Sequence, residues 1–159
     1  MENLRVGFGY DIHQIVENEG KLVIGGVIVS QNIRSVAHSD GDVLCHAIID
    51  AILGAIGEGD IGKLFPETER TKGMSSIKAL KKVVKIAKEK GYELINIDST
   101  VVFSKLKLSD FRERIIHALS EVLNCPVSVK FKSGNGIGEV GQGMAIEAFA
   151  TALLKRSHS

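Results

Sequence analysis

The sequence contains no tryptophan and only 5% aromatic residues, too few to build the stacking platforms that hold single-stranded nucleic acid. An excess of either charge is missing too. Twenty Lys and Arg against 19 Asp and Glu leave a formal net charge of +1, so no bulk attraction to nucleic acid or to a membrane surface arises. No apolar run approaches the roughly 20 residues that cross a bilayer. The N-terminal stretch MENLRVGFGYDIH has no basic-then-apolar signal pattern. Cysteine is confined to Cys45 and Cys125, which have no paired spacing. Free thiols in a reducing cytoplasm are the expectation, with a bridge between them left open. Repeats, linkers and low-complexity tracts are absent as well. What is present is 159 residues, 44% hydrophobic and 25% charged, which suits one globular domain over residues 1–159 with a sizeable core.

Hydrophobic periodicity sets the elements. LRVGFGYDIHQI alternates at Leu4, Val6 and Phe8 and reads as a strand. KLVIGGVIV is a second β-rich run, broken at Gly25-Gly26, where a bulge or a close backbone approach is expected. Ser39 or Asp40 is placed to cap a helix whose Val43, Leu44, Ala47, Ile48, Ala51, Ile52 and Ala55 repeat with helical period. GEGDIGKLFPETERTKG is aperiodic and reads as an irregular loop. A helix follows, capped by Ser75 or Ser76, with Ile77, Leu80, Val84 and Ala87 inward and five lysines on a solvated face. ELINIDSTVVFS is a strand, SDFRERIIHALSEVLN a helix capped by Ser109, and VSVKFKS a strand. MAIEAFATALLKR is ambiguous between helix and strand. The order points to one α/β domain, a mixed sheet with helices packed on one face.

Chemistry concentrates in two stretches. Asp11 and His13 are two apart near a strand end, so their side chains share a side. One imidazole from elsewhere would complete a three-ligand site with an open fourth position, the arrangement of catalytic rather than structural zinc. His46 is the natural third ligand. Asp42 and Asp50 lie one turn either side of it and suit an outer-shell task, accepting its second N–H or ordering nearby donors. The bland reading has Asp11 capping a turn and His46 as a packed, hydrogen-bonded histidine. His38 and Ser39 precede the helix, whose free N–H groups favour a phosphate, or else they are a loop histidine and a cap. Gly136, Gly138 and Gly141 spell G-x-G-x-x-G, yet only 18 residues follow, too few for a dinucleotide-binding βαβ unit. A phosphate nest or a plain turn remains there. Cys45 has apolar neighbours and is no convincing ligand, His117 reads as structural, and His158 is a tail residue.

GFGYDIH and AHSDGDVLCHAIIDAILGAIGEGDIGKLFPETE, with the gap between them, resemble the 2-C-methyl-D-erythritol 2,4-cyclodiphosphate synthases of the non-mevalonate isoprenoid pathway. The likeness covers most of the chain and is densest from Val6 to Glu69. It implies a homotrimer with sheets facing inward and active sites between subunits, and Zn²⁺ on Asp11, His13 and His46. It also implies a lyase that cyclises 4-diphosphocytidyl-2-C-methyl-D-erythritol 2-phosphate and releases CMP, with Mg²⁺ or Mn²⁺ on the diphosphate. Substrate contacts would come from Asp11, Ile12 and His13, and from His38 and Ser39, which hold phosphate. Asp60, Ile61 and Gly62, together with Phe65, Pro66, Glu67, Thr68 and Glu69, would hold the erythritol unit, and Lys107 the cytidine. Lys132, Ser133, Gly134 and Asn135 would meet the diphosphate, with His38 and Ser133 as the catalytic pair. Glu139 and Gln142 would line a cavity on the trimer axis.

The chain also departs from that family's pattern. Lys132, Ser133 and Asn135 stand where threonines and a glutamate are usual, so a neutral amide replaces a carboxylate expected at the second metal. Glu139, Gln142 and Met144 replace an aromatic, an arginine and an acid, which removes the cation expected to hold an isoprenoid diphosphate on the axis. The segment from Phe103 to Ser109 lacks a usual proline but keeps Lys107, and Glu67 replaces an aspartate. Two other readings compete with the synthase: a metal-dependent phosphohydrolase of nucleotide or sugar phosphates, and a non-catalytic trimer that binds nucleotide.

Overall fold

The computed structural model describes residues 3–157, so His158 lies outside the described residues. The elements run β1 (Leu4–Glu17), β2 (Leu22–Ile24), β3 (Val27–Ser30), β4 (Ile33–Ser35), α1 (Val43–Ile56), α2 (Ile61–Leu64) and α3 (Ser76–Glu89). β5 (Tyr92–Val102), a 3₁₀ turn (Leu108–Phe111), α4 (Arg112–Leu123), β6 (Val127–Lys132), α5 (Gly138–Gly141) and β7 (Ala145–Arg156) complete the chain. Five strands form one mixed sheet in the order β4-β1-β7-β5-β6, in which only β5 and β6 pair in parallel. The expected α/β architecture, with helices on one face, is what the chain adopts.

The ambiguous C-terminal segment is the central strand. β7 pairs with β1 on one side and β5 on the other along nearly its whole length. A period of two hides in its alanines. Ile146, Ala148, Ala150, Ala152 and Leu154 are buried against the helices, while Glu147, Phe149 and Thr151 face the other way. Ladder pairing on both edges overrides the helical propensity of alanine.

β1 resolves its own alternation in an unexpected direction. Leu4, Val6, Phe8, Tyr10 and Ile12 point away from the helices and are exposed. The face turned to α1 carries Gly7 and Gly9, and a Cβ on either would lie within 2 Å of a helix carbonyl, that of Ala51 or Ala47. The glycines are there because α1 lies directly on the strand backbone. That contact also explains why α1 is apolar around most of its circumference, apart from His46 and Asp50, being covered by the sheet on one side and α3 on the other.

Several local expectations need correction. Gly25 and Gly26 form no bulge within one strand. Both have positive φ, 58° and 79°, and make the two-residue turn of the β2–β3 hairpin. The irregularity lies instead between Leu22 and Val23. The N-cap of α1 is Asp42 rather than Ser39 or Asp40, and its carboxylate accepts from the Cys45 amide. Ser109 caps nothing. α4 is entered through the 3₁₀ turn without a side-chain cap and ends on left-handed Asn124. α2 interrupts the long loop, and β4, only three residues long, is too short for a periodic signal. The lysine face of α3 is exposed as expected, and His117 is exposed on α4 beside Glu121 rather than structural. Both cysteines are free, and burial pushes the Cys45 thiol well up.

Asp42 ties the hairpin to the helix. Its fully buried carboxylate accepts from Gly25 N–H (2.9 Å), Gly26 N–H (2.7 Å) and Cys45 N–H (3.0 Å). Burial pushes this carboxyl up, and the three amides oppose that. Asp42→Ala orphans all three donors and is expected to cost about 3 kcal/mol in urea unfolding. An unchanged midpoint would show that water replaces the carboxylate.

Candidate metal and phosphate centre

β1 and α1 deliver three side chains to one point. Asp11 and His13 leave β1 two residues apart on the helix-facing side, and His46 descends from the first turn of α1. Asp11 Oδ2 lies 3.0 Å from His13 Nε2 and 2.9 Å from His46 Nδ1. One donor atom from each of the three falls within 4.8 Å of the others. Burial opposes charge on the Asp11 carboxyl, but the two imidazoles outweigh it and hold Asp11 well below the usual carboxylate range. Burial likewise opposes the imidazolium of His13, and the neighbouring carboxylate more than compensates and raises it.

The outer partners orient the imidazoles. His13 Nδ1 is 3.1 Å from the Gly41 carbonyl, an acceptor, so Nδ1 carries a proton, and Nε2 is the nitrogen turned to Asp11, where a cation would replace the proton the two groups share. His46 Nε2 is 2.8 Å from Ser76 Oγ and 3.1 Å from Ser39 Oγ. Two imidazole nitrogens and a carboxylate oxygen converging beside open space are the donor set of a catalytic zinc site, and the residues fit that ion.

Neither Asp42 nor Asp50 accepts from the imidazole; of the two tasks expected of them, both perform the ordering of nearby backbone donors. Asp42 is consumed by its three amides. Asp50 accepts from Ile61 N–H at 2.7 Å and so anchors the start of α2 at the cavity rim. The helix terminus is not an open anion site either, because the Asp42 carboxylate already occupies it.

Next to the triad is a cavity of about 340 Å³ lined by Asp11, His13, His38, Ser39, His46, Ile61, Gly62, Phe65 and Glu67, among others. His38 Nε2–H donates to the Thr68 carbonyl (2.7 Å), with Thr71 Oγ1 3.1 Å away, which leaves Nδ1 free of that contact. Ser39 Oγ accepts from Gly41 N–H (3.2 Å), and its own proton is free to turn toward the cavity. Ala37, the first residue of the AHSDGD stretch, also lines the space, as do Val36, Thr71 and Met74, which carry no motif by which sequence would have flagged them. Asp60 caps α2 through Lys63 N–H and does not line the cavity, nor do Pro66, Thr68 and Glu69 side chains.

The remaining expected contacts lie elsewhere. Ile12 is on the opposite sheet face and, with Glu139, Gln142 and Met144, borders a second cavity of about 540 Å³. Lys132 ends β6 at the far edge of the sheet, in register with Val102, Glu147 and Ile12 across three ladders. At about 4.8 Å per strand that is roughly 14 Å from β1. Ser133 and Asn135 follow it, bonded to one another through Ser133 Oγ, which accepts from Asn135 N–H at 3.1 Å. Gly134 and Asn135 are left-handed there, at φ 80° and 53°. Lys107 is exposed 3.8 Å from Asp110, on the loop after β5, so it flanks the β6 loop rather than the triad.

The family model described as the YgbB family matches residues 4–155. A relative from Thermotoga neapolitana named 2-C-methyl-D-erythritol 2,4-cyclodiphosphate synthase is 48% identical over 155 residues, covering 97% of this chain and 93% of its own. One of the same name from Clostridium acetobutylicum is 46% identical, covering 95% and 99%. Among solved structures, the CDP complex of IspF from Plasmodium falciparum superposes with a TM-score of 0.86 at 37% identity and covers 99% of both chains. The bifunctional IspDF of Campylobacter jejuni reaches a TM-score of 0.92 at 34% identity, covering 98% of this chain and 43% of that one.

Proposed function

The chain belongs to the YgbB family, with relatives that are 2-C-methyl-D-erythritol 2,4-cyclodiphosphate synthases, and from that premise we propose that it cyclises 4-diphosphocytidyl-2-C-methyl-D-erythritol 2-phosphate. The products are 2-C-methyl-D-erythritol 2,4-cyclodiphosphate and CMP. An oxygen of the 2-phosphate bonds to the β-phosphorus while the bond from that phosphorus to the oxygen bridging the two phosphates breaks. That oxygen leaves on CMP. The nucleophile is already an anion, so no side chain has to supply one. Positioning and charge dispersal remain as the protein's work.

The observation that carries this reading is the meeting of Asp11, His13 and His46 beside a cavity that also presents His38 and Ser39. Those three residues would hold Zn²⁺, which supplies Lewis acidity and a template, with Mg²⁺ or Mn²⁺ neutralising the diphosphate oxygens. His38 and the Ser39 hydroxyl hold phosphate. Ile61, Gly62, Phe65 and Glu67 enclose the erythritol unit, with Asp50 fixing where that wall begins.

The diphosphate and cytidine ends call for more than one chain. Lys132, Ser133, Gly134, Asn135 and Lys107 stand across the sheet from the triad, so a homotrimer in which a neighbour's β6 loop faces this cavity supplies them. The exposed Leu4, Val6, Phe8, Tyr10 and Ile12 support an inward-facing sheet, because an apolar face of that extent is costly in water. Each subunit acts as a single domain. No helix among the described residues is long and apolar enough to cross a membrane, and the biosynthetic role supports a cytoplasmic location.

Incubating the protein with this substrate in H₂¹⁸O tests the reading. Release of CMP with a cyclic product free of ¹⁸O is expected, and chelation of divalent ions stops it until Zn²⁺ and Mg²⁺ are restored. A linear product carrying ¹⁸O would establish a phosphohydrolase instead. CDP binding without turnover under any divalent ion would establish a non-catalytic nucleotide binder.

A further inference from the structure

The loop before α1 and the start of α3 meet behind His46. Ser76 is completely buried, and its Oγ touches two groups, His46 Nε2 at 2.8 Å and the Asp40 carboxylate. The Asp40 carboxylate also accepts from the Ser76 and Asp42 amides, at 3.1 and 3.2 Å. A serine hydroxyl has one proton, and a carboxylate has none to give. The Ser76 proton therefore points to Asp40, and Ser76 Oγ can only accept from the imidazole. His46 must then carry a proton on Nε2, which leaves Nδ1, 2.9 Å from Asp11 Oδ2, as the nitrogen that can offer a lone pair to a cation.

We propose that Ser76 and Asp40 are positioning residues that hold one proton on His46 Nε2, and so present His46 Nδ1 as a cation ligand. The proposal rests on the Asp11–His13–His46 cation site described above. His13 is held by a backbone carbonyl and presents the opposite nitrogen, so the two imidazoles are fixed as different tautomers by unrelated parts of the chain. Ser75 caps α3 by accepting from Lys78 N–H, which frees the adjacent Ser76 for this task. The doublet thus supplies one hydroxyl more than the helix needs.

The test measures zinc affinity of the full chain by competition with a chromophoric chelator, and records long-range ¹H–¹⁵N imidazole spectra of the zinc-loaded protein. The spectra should show His46 protonated on Nε2 and His13 on Nδ1. Ser76→Ala should lower zinc affinity about 10- to 100-fold, the usual effect of losing an outer-shell partner. Ser76→Thr, which keeps the hydroxyl, should stay within about threefold of wild type. Asp40→Asn lets an amide N–H turn to Ser76 Oγ and sends the hydroxyl proton toward His46, so it should weaken zinc as much as Ser76→Ala. Its effect should disappear in the Ser76→Ala background. His46 protonated on Nδ1, or Asp40→Asn and Ser76→Ala both binding zinc like wild type, overturns the proposal. If Ser76→Ala fails to fold, Asp40→Asn and the wild-type spectra decide it. Wild-type zinc binding that His13→Ala leaves unchanged would sink the underlying cation site, a separate and recognisable failure.

Discussion

His13→Ala is expected to remove stoichiometric zinc and to lower kcat/KM for CMP release by at least about 10³, while the protein remains folded. A bound cation's contribution to charge dispersal in the transition state is several kcal/mol, and each 1.4 kcal/mol is tenfold in rate. His13 is only partly buried at the mouth of a cavity, and alanine there leaves β1's ladder to β7 intact, so the loss falls on function. His46→Ala should act alike, with a larger penalty in stability because His46 is buried and bonded to Ser76. Metal analysis and steady-state kinetics on the same preparation check both. Full turnover by a His13→Ala sample free of zinc would remove the cation from the reaction altogether.

The second large effect is structural. Gly9→Ala would place a methyl group 1.8 Å from the carbonyl oxygen of Ala47, and Gly7→Ala would do the same at 1.7 Å to that of Ala51. These neighbours are backbone atoms of the central helix, so no rotamer change relieves the clash. α1 must lift from the sheet, breaking contacts of the core residues Ala47, Ile48 and Ala51. A cost on the order of 4 kcal/mol is expected for each, at the upper end of single substitutions. Because β1 carries Asp11 and His13 while α1 carries His46, the same displacement should weaken zinc binding in whatever fraction still folds. Urea unfolding and zinc titration of Gly9→Ala test the two parts together. Wild-type stability would mean that helix and strand are less closely applied than described.

The likeness between the sequence's expectations and the structure is greatest where spacing alone carries the information. Two residues apart on a strand means one face, so Asp11 and His13 were legible as a pair. Helical period identified α1 and placed His46 on it. β7 was legible only in hindsight. Its helix-facing alanines by themselves favour a helix, and pairing with β1 and β5 overrides that preference. Of the outer shell, only the ordering of nearby donors was legible, not the partner of the imidazole. Asp42 and Asp50 were chosen by helical spacing from His46, yet one is drawn off by the Gly25 and Gly26 amides and the other by Ile61. The partner His46 does use, Ser76, lies 30 residues away.

By itself the sequence determined which chemical groups this protein has for gripping a cation and an anion, and the local conformation that carries most of them. Short-range sterics and side-chain period act between near neighbours, and that much is written in order along the chain. Only the tertiary structure decided which face of β1 is covered, because alternation defines two sides without naming the one a helix will occupy. It alone decided which nitrogen of each imidazole keeps its proton, since that depends on the nearest acceptor, contributed by segments distant in sequence. The separation of the Lys132 to Asn135 loop from the triad likewise follows from strand order, a property of the folded sheet that no single segment encodes.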